Sequence, residues 1–288
     1  MSNLEGAVAV VTGAGHANSV ARHAQHLAHA DPARRRVLAA QIVAGKIDNQ
    51  RRVLDPLTRS GGGASARNAS AALARLAERV VQFGGDDESD LATSGSAKAL
   101  GRARSRLMGL EGAAARVYFR QLSAAVSAHS ELTGPQRRQR RPCTDPFNAA
   151  LSFGYALLAT AVRGAVVCAG LDPAVGFLHG DRAEQPALVL DAMEEFRPAV
   201  DRWLLTLVNR RQLRLNHFST QVSGAVELTE AGRDVALRAW HDLRVQASPS
   251  ALLGGAAAPF AAQPLLQLRA LSRCLTGDAK GYLAWSVR

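Results

Sequence analysis

The stretch Leu188-Val189-Leu190-Asp191-Ala192-Met193-Glu194-Glu195-Phe196-Arg197-Pro198 decides how this chain is read. Continued to Leu207, it sets Val189, Met193, Phe196, Val200 and Leu207 at helical spacing, an apolar stripe that must pack against another element. Asp191, Glu194 and Glu195 fall off that stripe. Steps of three and four residues bring either glutamate beside Asp191, so spacing alone does not choose between them. Pro198 offers no N–H to the Glu194 carbonyl, which predicts a kink near the carboxylates. A solvated acidic face is the plain alternative.

The same period recurs on both sides. On a helix from Arg102 to Leu122, residues Leu107, Leu110, Ala114, Tyr118 and Leu122 share one face, and Glu111 falls within it. A carboxylate on an apolar face needs a cation, a metal or a proton. A salt bridge to one of the many arginines is the simpler reading and a metal ligand the chemical one. In Gly176-Phe177-Leu178-His179-Gly180-Asp181-Arg182, His179 follows an apolar triplet and precedes a loop. Imidazole is the commonest metal ligand, although a lone histidine also serves as hydrogen-bonded structure. Asp145-Pro146 supplies an N-cap and a first-turn proline for an apolar helix or helix pair from Phe147 to Val167. Its uncharged run from Pro146 to Val162 contains Pro and Asn and stops at Arg163, which predicts a buried helix and not a membrane span.

Loops are expected at Ser60–Gly63, Gly84–Ser96 and Ser248–Pro264. One β-type run, Gly6 to Val11, leads into the turn Thr12-Gly13-Ala14-Gly15. That turn is similar to the glycine turn of dinucleotide-binding dehydrogenases, yet no Tyr-x-x-x-Lys and no alternation of strands and helices follows, so that reading is set aside. The fold class is therefore mainly α, with one helical domain over residues 23–288 behind a β-remnant and linker over residues 1–22.

Bulk properties set the chemistry of the partner. With 288 residues and 47% hydrophobic content the chain can bury a core. Its 35 basic and 24 acidic residues give a net charge of +11, and 32 of the 35 are Arg against three Lys. Such a surface favours a polyanion, and Arg matches phosphate geometry better than Lys does. Arg137, Arg138, Arg140 and Arg141 form one basic run, with smaller ones at Arg51-Arg52 and at Arg210, Arg211 and Arg214. Cys143, Cys168 and Cys274 lie far apart with no Cys-x-x-Cys, which excludes a disulfide framework and a structural zinc site and fits a reducing cytoplasm. No charged start followed by an apolar run marks a signal peptide, and no membrane association is expected. His23, His26 and His29 recur every third residue without a matching carboxylate and read as an exposed helix edge. One histidine with two or three carboxylates suits Mg²⁺ or Mn²⁺ with positions left for water and phosphate, which points to phosphoryl transfer.

At this point the blocks resemble a known family. Leu110-Glu111-Gly112, Gly176-Phe177-Leu178-His179 and Leu190 to Pro198 resemble, in order and spacing, the three metal-binding blocks of the CRISPR-associated spacer integrases. Lys46-Ile47-Asp48-Asn49-Gln50, Arg141-Pro142, Asp145 to Ala149, Leu151 to Tyr155, Gln267-Leu268-Arg269 and Gly277-Asp278 are further matches, so the resemblance covers roughly residues 20–288. It implies metal ligands at Glu111, His179 and Glu194, with Asp191 a helper one helical turn away, and it selects Glu194 over Glu195. Lys46, Arg138 and Arg141 are carried over as weaker DNA contacts.

The resemblance also implies a prokaryotic, cytoplasmic DNA endonuclease and integrase using Mg²⁺ or Mn²⁺. Such an enzyme inserts captured DNA into the CRISPR array by transesterification, as a homodimer assembled on the small partner Cas2. The family's N-terminal β-domain is expected to be largely missing from the front, leaving the strand near Val8. Asp48 stands where the family is often basic, and Ser248-Pro249-Ser250 where it often carries His-Pro. The second reading is a DNA-binding remnant that keeps the basic surface without catalysis.

Overall fold

The computed structural model describes residues 18–59, 63–85, 97–135, 137–139, 142–180 and 185–287. The strand expected at residues 6–11 and the expected DNA contact Arg141 lie outside them. Eight α-helices carry the described residues: α1 (Ser19–Ala30), α2 (Pro32–Arg59), α3 (Gly63–Gly85), α4 (Ala97–Ala124), α5 (Pro146–Cys168), α6 (Ala187–Asn209), α7 (Glu230–Val245) and α8 (Gln263–Thr276). The fold is mainly α, as the sequence predicts. Helix α1 runs across residue 22, where the sequence reading divides the chain.

The helix limits follow local chemistry. Asp145 accepts from the Asn148 amide and Pro146 occupies the first turn, so α5 starts where its cap dictates. Thr229 caps α7 in the same way through the Gly232 amide. Helix α5 has the length and apolarity of a membrane span. Eleven of its residues are buried, and it packs on α6, α8 and a short strand, β2 (Val226–Leu228). Gly154 lets it come close, since a Cβ there would lie 2.8 Å from Val200 and 3.0 Å from Trp203 on α6.

Helix α6 is the centre of the molecule. Sixteen of its 23 residues are buried, between α2 on one side and α5 on the other. The expected stripe is buried, and so are Asp191, Glu194 and Glu195. A solvated acidic face is thereby overturned: the helix is enclosed all round, and each carboxylate meets its own partners. The helix continues through Pro198 to Asn209. The face expected on α4 is likewise buried, from Leu107 to Leu122.

Two small antiparallel hairpins depart from expectation, since no strand was read beyond residue 11. β1 (Phe218–Thr220) pairs with β2 (Val226–Leu228), and β3 (Ala247–Pro249) with β4 (Ala257–Pro259). All of the second pair but Ala247 lies inside the stretch read as a loop from Ser248 to Pro264. Strands of three residues carry no period-2 signal long enough to see. The segment after α8 returns to the core: Trp285 stacks on Phe196 at 4.8 Å between ring centroids.

Candidate functional site

Glu111 on α4 and Glu194 on α6 face each other across one side chain. Lys46, from the middle of α2, puts its Nζ 2.5 Å from Glu111 Oε1 and 2.6 Å from Glu194 Oε2. Glu194 Oε2 is buried, and the Lys46 ammonium is its polar neighbour. On the other oxygen, Arg197 Nε lies 3.4 Å from Oε1 and His179 Nε2 lies 3.9 Å from it. Burial alone would raise the Glu194 pKa, but Arg197, Lys46 and His179 outweigh it and hold the carboxyl at about 2. Burial likewise works against the Lys46 charge, and Glu194 and Glu111 overcome it, leaving that pKa above its ordinary value.

His179 is aimed by Asp191. The Asp191 carboxylate, fully buried, accepts from the amides of Phe177 (2.5 Å), Leu178 (3.0 Å) and His179 (2.9 Å), and meets His179 Nδ1 at 2.7 Å. The carboxylate can only accept, so Nδ1 carries a proton and Nε2 is the ring nitrogen that faces Glu194. Gly176 permits the approach, because a Cβ there would sit 2.7 Å from Asp191 Oδ2. The opposite edge of the same loop is held by three cationic or polar side chains. His29 Nδ1 meets the Gly176 carbonyl at 2.6 Å, Arg35 Nε donates to Phe177 O at 3.1 Å, and Arg104 Nε to Leu178 O at 3.0 Å. His29 is therefore a loop anchor, which corrects its reading as part of an exposed helix edge.

Glu195 points away from this cluster. It accepts from the Tyr282 hydroxyl and from the Trp285 amide at 2.7 Å, and burial pushes its pKa up to about 8. Asn49 completes that clasp by donating to the carbonyls of Glu195 and Trp285 and accepting from the Val287 amide. Two adjacent glutamates thus do different work: one binds a cation and the other seats the C-terminal segment.

A family model for CRISPR associated protein Cas1 matches residues 1–242. The CRISPR-associated endonuclease Cas1 2 of Rhodospirillum rubrum is 37% identical over 273 residues, which is 93% of this chain and 74% of that protein. The chain belongs to the Cas1 family. Among solved structures, a casposase bound to its integration product superposes with a TM-score of 0.73 at 21% identity, covering 91% of this chain and 70% of that one. A chain of a partial Cas6-RT-Cas1–Cas2 complex superposes with a TM-score of 0.73 at 23% identity, covering 96% of this chain and 75% of that one. At these identities the structural likeness speaks for the fold.

In this Cas1-family chain the four residues expected at the metal, Glu111, His179, Asp191 and Glu194, come together from α4, α6 and the loop before α6. Among the described residues, however, no three His, Cys, Asp or Glu side chains stand grouped as a ready-made metal cluster. The cation between the carboxylates is Lys46. The donor set still suits a hard-to-borderline divalent ion: two carboxylates that already flank a positive charge, and an imidazole presented through Nε2 with its other nitrogen tied to a carboxylate. Asp191 is placed as the support of His179 and not beside the cation.

The expected phosphate contacts divide differently. Arg138 is turned inward: it donates to Gln139 O, to Asn148 Oδ1 at 2.9 Å and to Ser152 Oγ at 2.9 Å, and it lies over the Tyr155 ring at 5.2 Å. Arg197 lies over the same ring at 5.0 Å. Arg51 and Arg52 pair with Asp48 at 3.1 and 3.7 Å. Arg137, Arg210, Arg211 and Arg214 are exposed.

Sequence reasoning missed the polar core behind the site. Asp201, buried between helices, accepts from Tyr118 at 3.0 Å and Tyr155 at 2.5 Å. Burial raises its pKa to about 6 against the pull of those two hydroxyls. A folded-state pKa above the unfolded value of about 4 means that the folded chain holds this proton more tightly. The resulting stabilisation is complete below about pH 4 and is lost as pH rises through about 6. Asp201→Asn is expected to remove that slope, so thermal melts of the two proteins should diverge progressively from pH 4 to pH 7. A constant difference across that range would contradict the assignment.

Proposed function

We propose that this chain is a metal-dependent DNA endonuclease and integrase of CRISPR adaptation, working with Cas2 on captured DNA and the CRISPR repeat, with Glu111, His179 and Glu194 as its metal ligands. The observation that carries the reading is the convergence of two carboxylates and one oriented imidazole, from separate elements, on a position that already accommodates a cation. Family membership supports the activity, as does a relative named an endonuclease. The partners are supported by structural relatives bound to an integration product and assembled with Cas2.

A bound Mg²⁺ or Mn²⁺ would polarise the scissile phosphate and stabilise the leaving oxygen. The protein's own work is positional. Asp191 keeps His179 in one tautomer and one orientation, Arg197 keeps Glu194 ionised, and the loop 176–180 is pinned along both edges so that the imidazole cannot swing away. In integration the 3′-hydroxyl of the incoming DNA attacks a phosphodiester, one P–O bond forms as another breaks, and bond number is conserved. Cleavage is the same displacement with water as the nucleophile. An imidazole ligand favours Mn²⁺ at least as much as Mg²⁺, so activity with Mn²⁺ should equal or exceed activity with Mg²⁺.

The test is a strand-transfer assay with a labelled 3′-hydroxyl duplex, a repeat-containing target, purified Cas2 and Mn²⁺. Joined product that disappears with EDTA is expected. Duplex binding that persists in Mn²⁺ without any cut or joined product would instead identify a DNA-binding remnant. Affinity should also fall steeply between roughly 50 and 200 mM salt, by a factor on the order of 10³ if about six phosphates are neutralised. An affinity that hardly moves would remove the argument from the +11 charge.

A further inference from the structure

Lys46 stands at the position where the proposed function requires a metal ion. It is almost fully buried, mid-helix on α2, and its ammonium makes ion pairs with a carboxylate from α4 and another from α6. Three helices are therefore joined at one charged atom. Removing that charge would leave Glu111 and Glu194 facing each other with like sign in a site with little access to water, an arrangement that burial makes unfavourable. A lysine suits the place for a reason that an arginine would not. Its charge is a compact point on four rotatable carbons, so it can enter and leave a carboxylate pair without moving the backbone, whereas a guanidinium is a wide planar fork.

We propose that Lys46 is a tethered stand-in for the metal, holding Glu111 and Glu194 in register when no divalent ion is bound and withdrawing when one enters. Metal binding then exchanges one cation for another. The ion gains the carboxylates already gathered, and its apparent affinity is lowered by the work of displacing the ammonium. Arg197, on the other oxygen of Glu194, keeps that carboxylate paired during the exchange. Once displaced, Lys46 is a free cation beside the site, and a DNA phosphate is the counter-ion that the reaction would bring to it. This inference rests on the metal-dependent function proposed above.

Two measurements on the full chain test it with the metal alone. Calorimetric titration with Mn²⁺ should show Lys46→Met binding at least tenfold more tightly than the wild type. In EDTA the same variant should melt several degrees lower, with the deficit recovered by saturating Mn²⁺. Because that variant loses both ion pairs of Lys46 and could fail to fold, the second measurement uses the unaltered protein. The chain has three lysines, Lys46, Lys98 and Lys280, so ¹³Cε-lysine labelling gives three signals. Titration with diamagnetic Mg²⁺ should move the Lys46 signal towards the position of an exposed lysine. Mn²⁺ affinity unchanged or weaker in Lys46→Met, or a Lys46 signal that stays put while Mg²⁺ binds with measurable heat, would overturn the exchange and leave the proposed function standing. No ion binding by either protein would overturn the proposed function and the exchange with it.

Discussion

Glu194→Ala is expected to abolish Mn²⁺-dependent cutting, a fall on the order of 10³-fold, with duplex affinity changed by less than about twofold. The separation follows from the geometry. Glu194 is buried against Lys46, Arg197 and His179 and would meet the DNA through the metal alone, while Arg137, Arg210, Arg211 and Arg214 are exposed and free to meet phosphates elsewhere. Glu111→Ala and His179→Ala should match it, since each removes one side of the same cluster. Glu195→Ala is the control on the adjacent residue. It frees the Tyr282 hydroxyl and the Trp285 amide and so loosens the C-terminal segment, an effect on stability of about 1–3 kcal/mol, and should leave much of the cutting intact. A nuclease assay in which Glu195→Ala is as damaging as Glu194→Ala would show that the two glutamates have been assigned the wrong way round.

Asp191→Ala is expected to destabilise the chain by about 3–5 kcal/mol and to disable cutting as well. Its carboxylate takes three backbone amides and the His179 ring. Orphaning buried donors costs about 1–3 kcal/mol each, partly recovered as the loop relaxes. Asp191→Asn tests the same point more gently, because the amide keeps one acceptor oxygen and turns an N–H₂ towards a donor, losing up to half of the bonds. Urea denaturation reads both. A loss below about 1 kcal/mol for Asp191→Ala would mean that the cationic and polar anchors on the carbonyl edge, His29, Arg35 and Arg104, hold the loop without it.

Much of this was legible in the sequence where the signal is local. The stripes of α4 and α6 follow from a period of 3.6, and the start of α5 follows from an aspartate before a proline. Three facts were out of reach of spacing and composition, because their causes lie in other elements. Glu194 and Glu195 are equivalent by spacing; their roles separate only through Lys46 on α2 and through Tyr282 and Trp285 near the C-terminus. Arg138 belongs to a basic run, yet Asn148, Ser152 and Tyr155 on α5 turn it inward. Asp201 shows no motif at all, and its importance comes from two tyrosines on different helices. In each case the sequence names the charge and tertiary packing decides what the charge meets.

The most direct measurement of the central claim is the anomalous signal of Mn²⁺ in crystals of the full chain grown or soaked with that ion. The result expected is one strong site contacted by Glu111, His179 Nε2 and Glu194, with Asp191 one step behind on Nδ1. Saturating Mn²⁺ with no ion at those three side chains, or an ion bound elsewhere in the molecule, would contradict it.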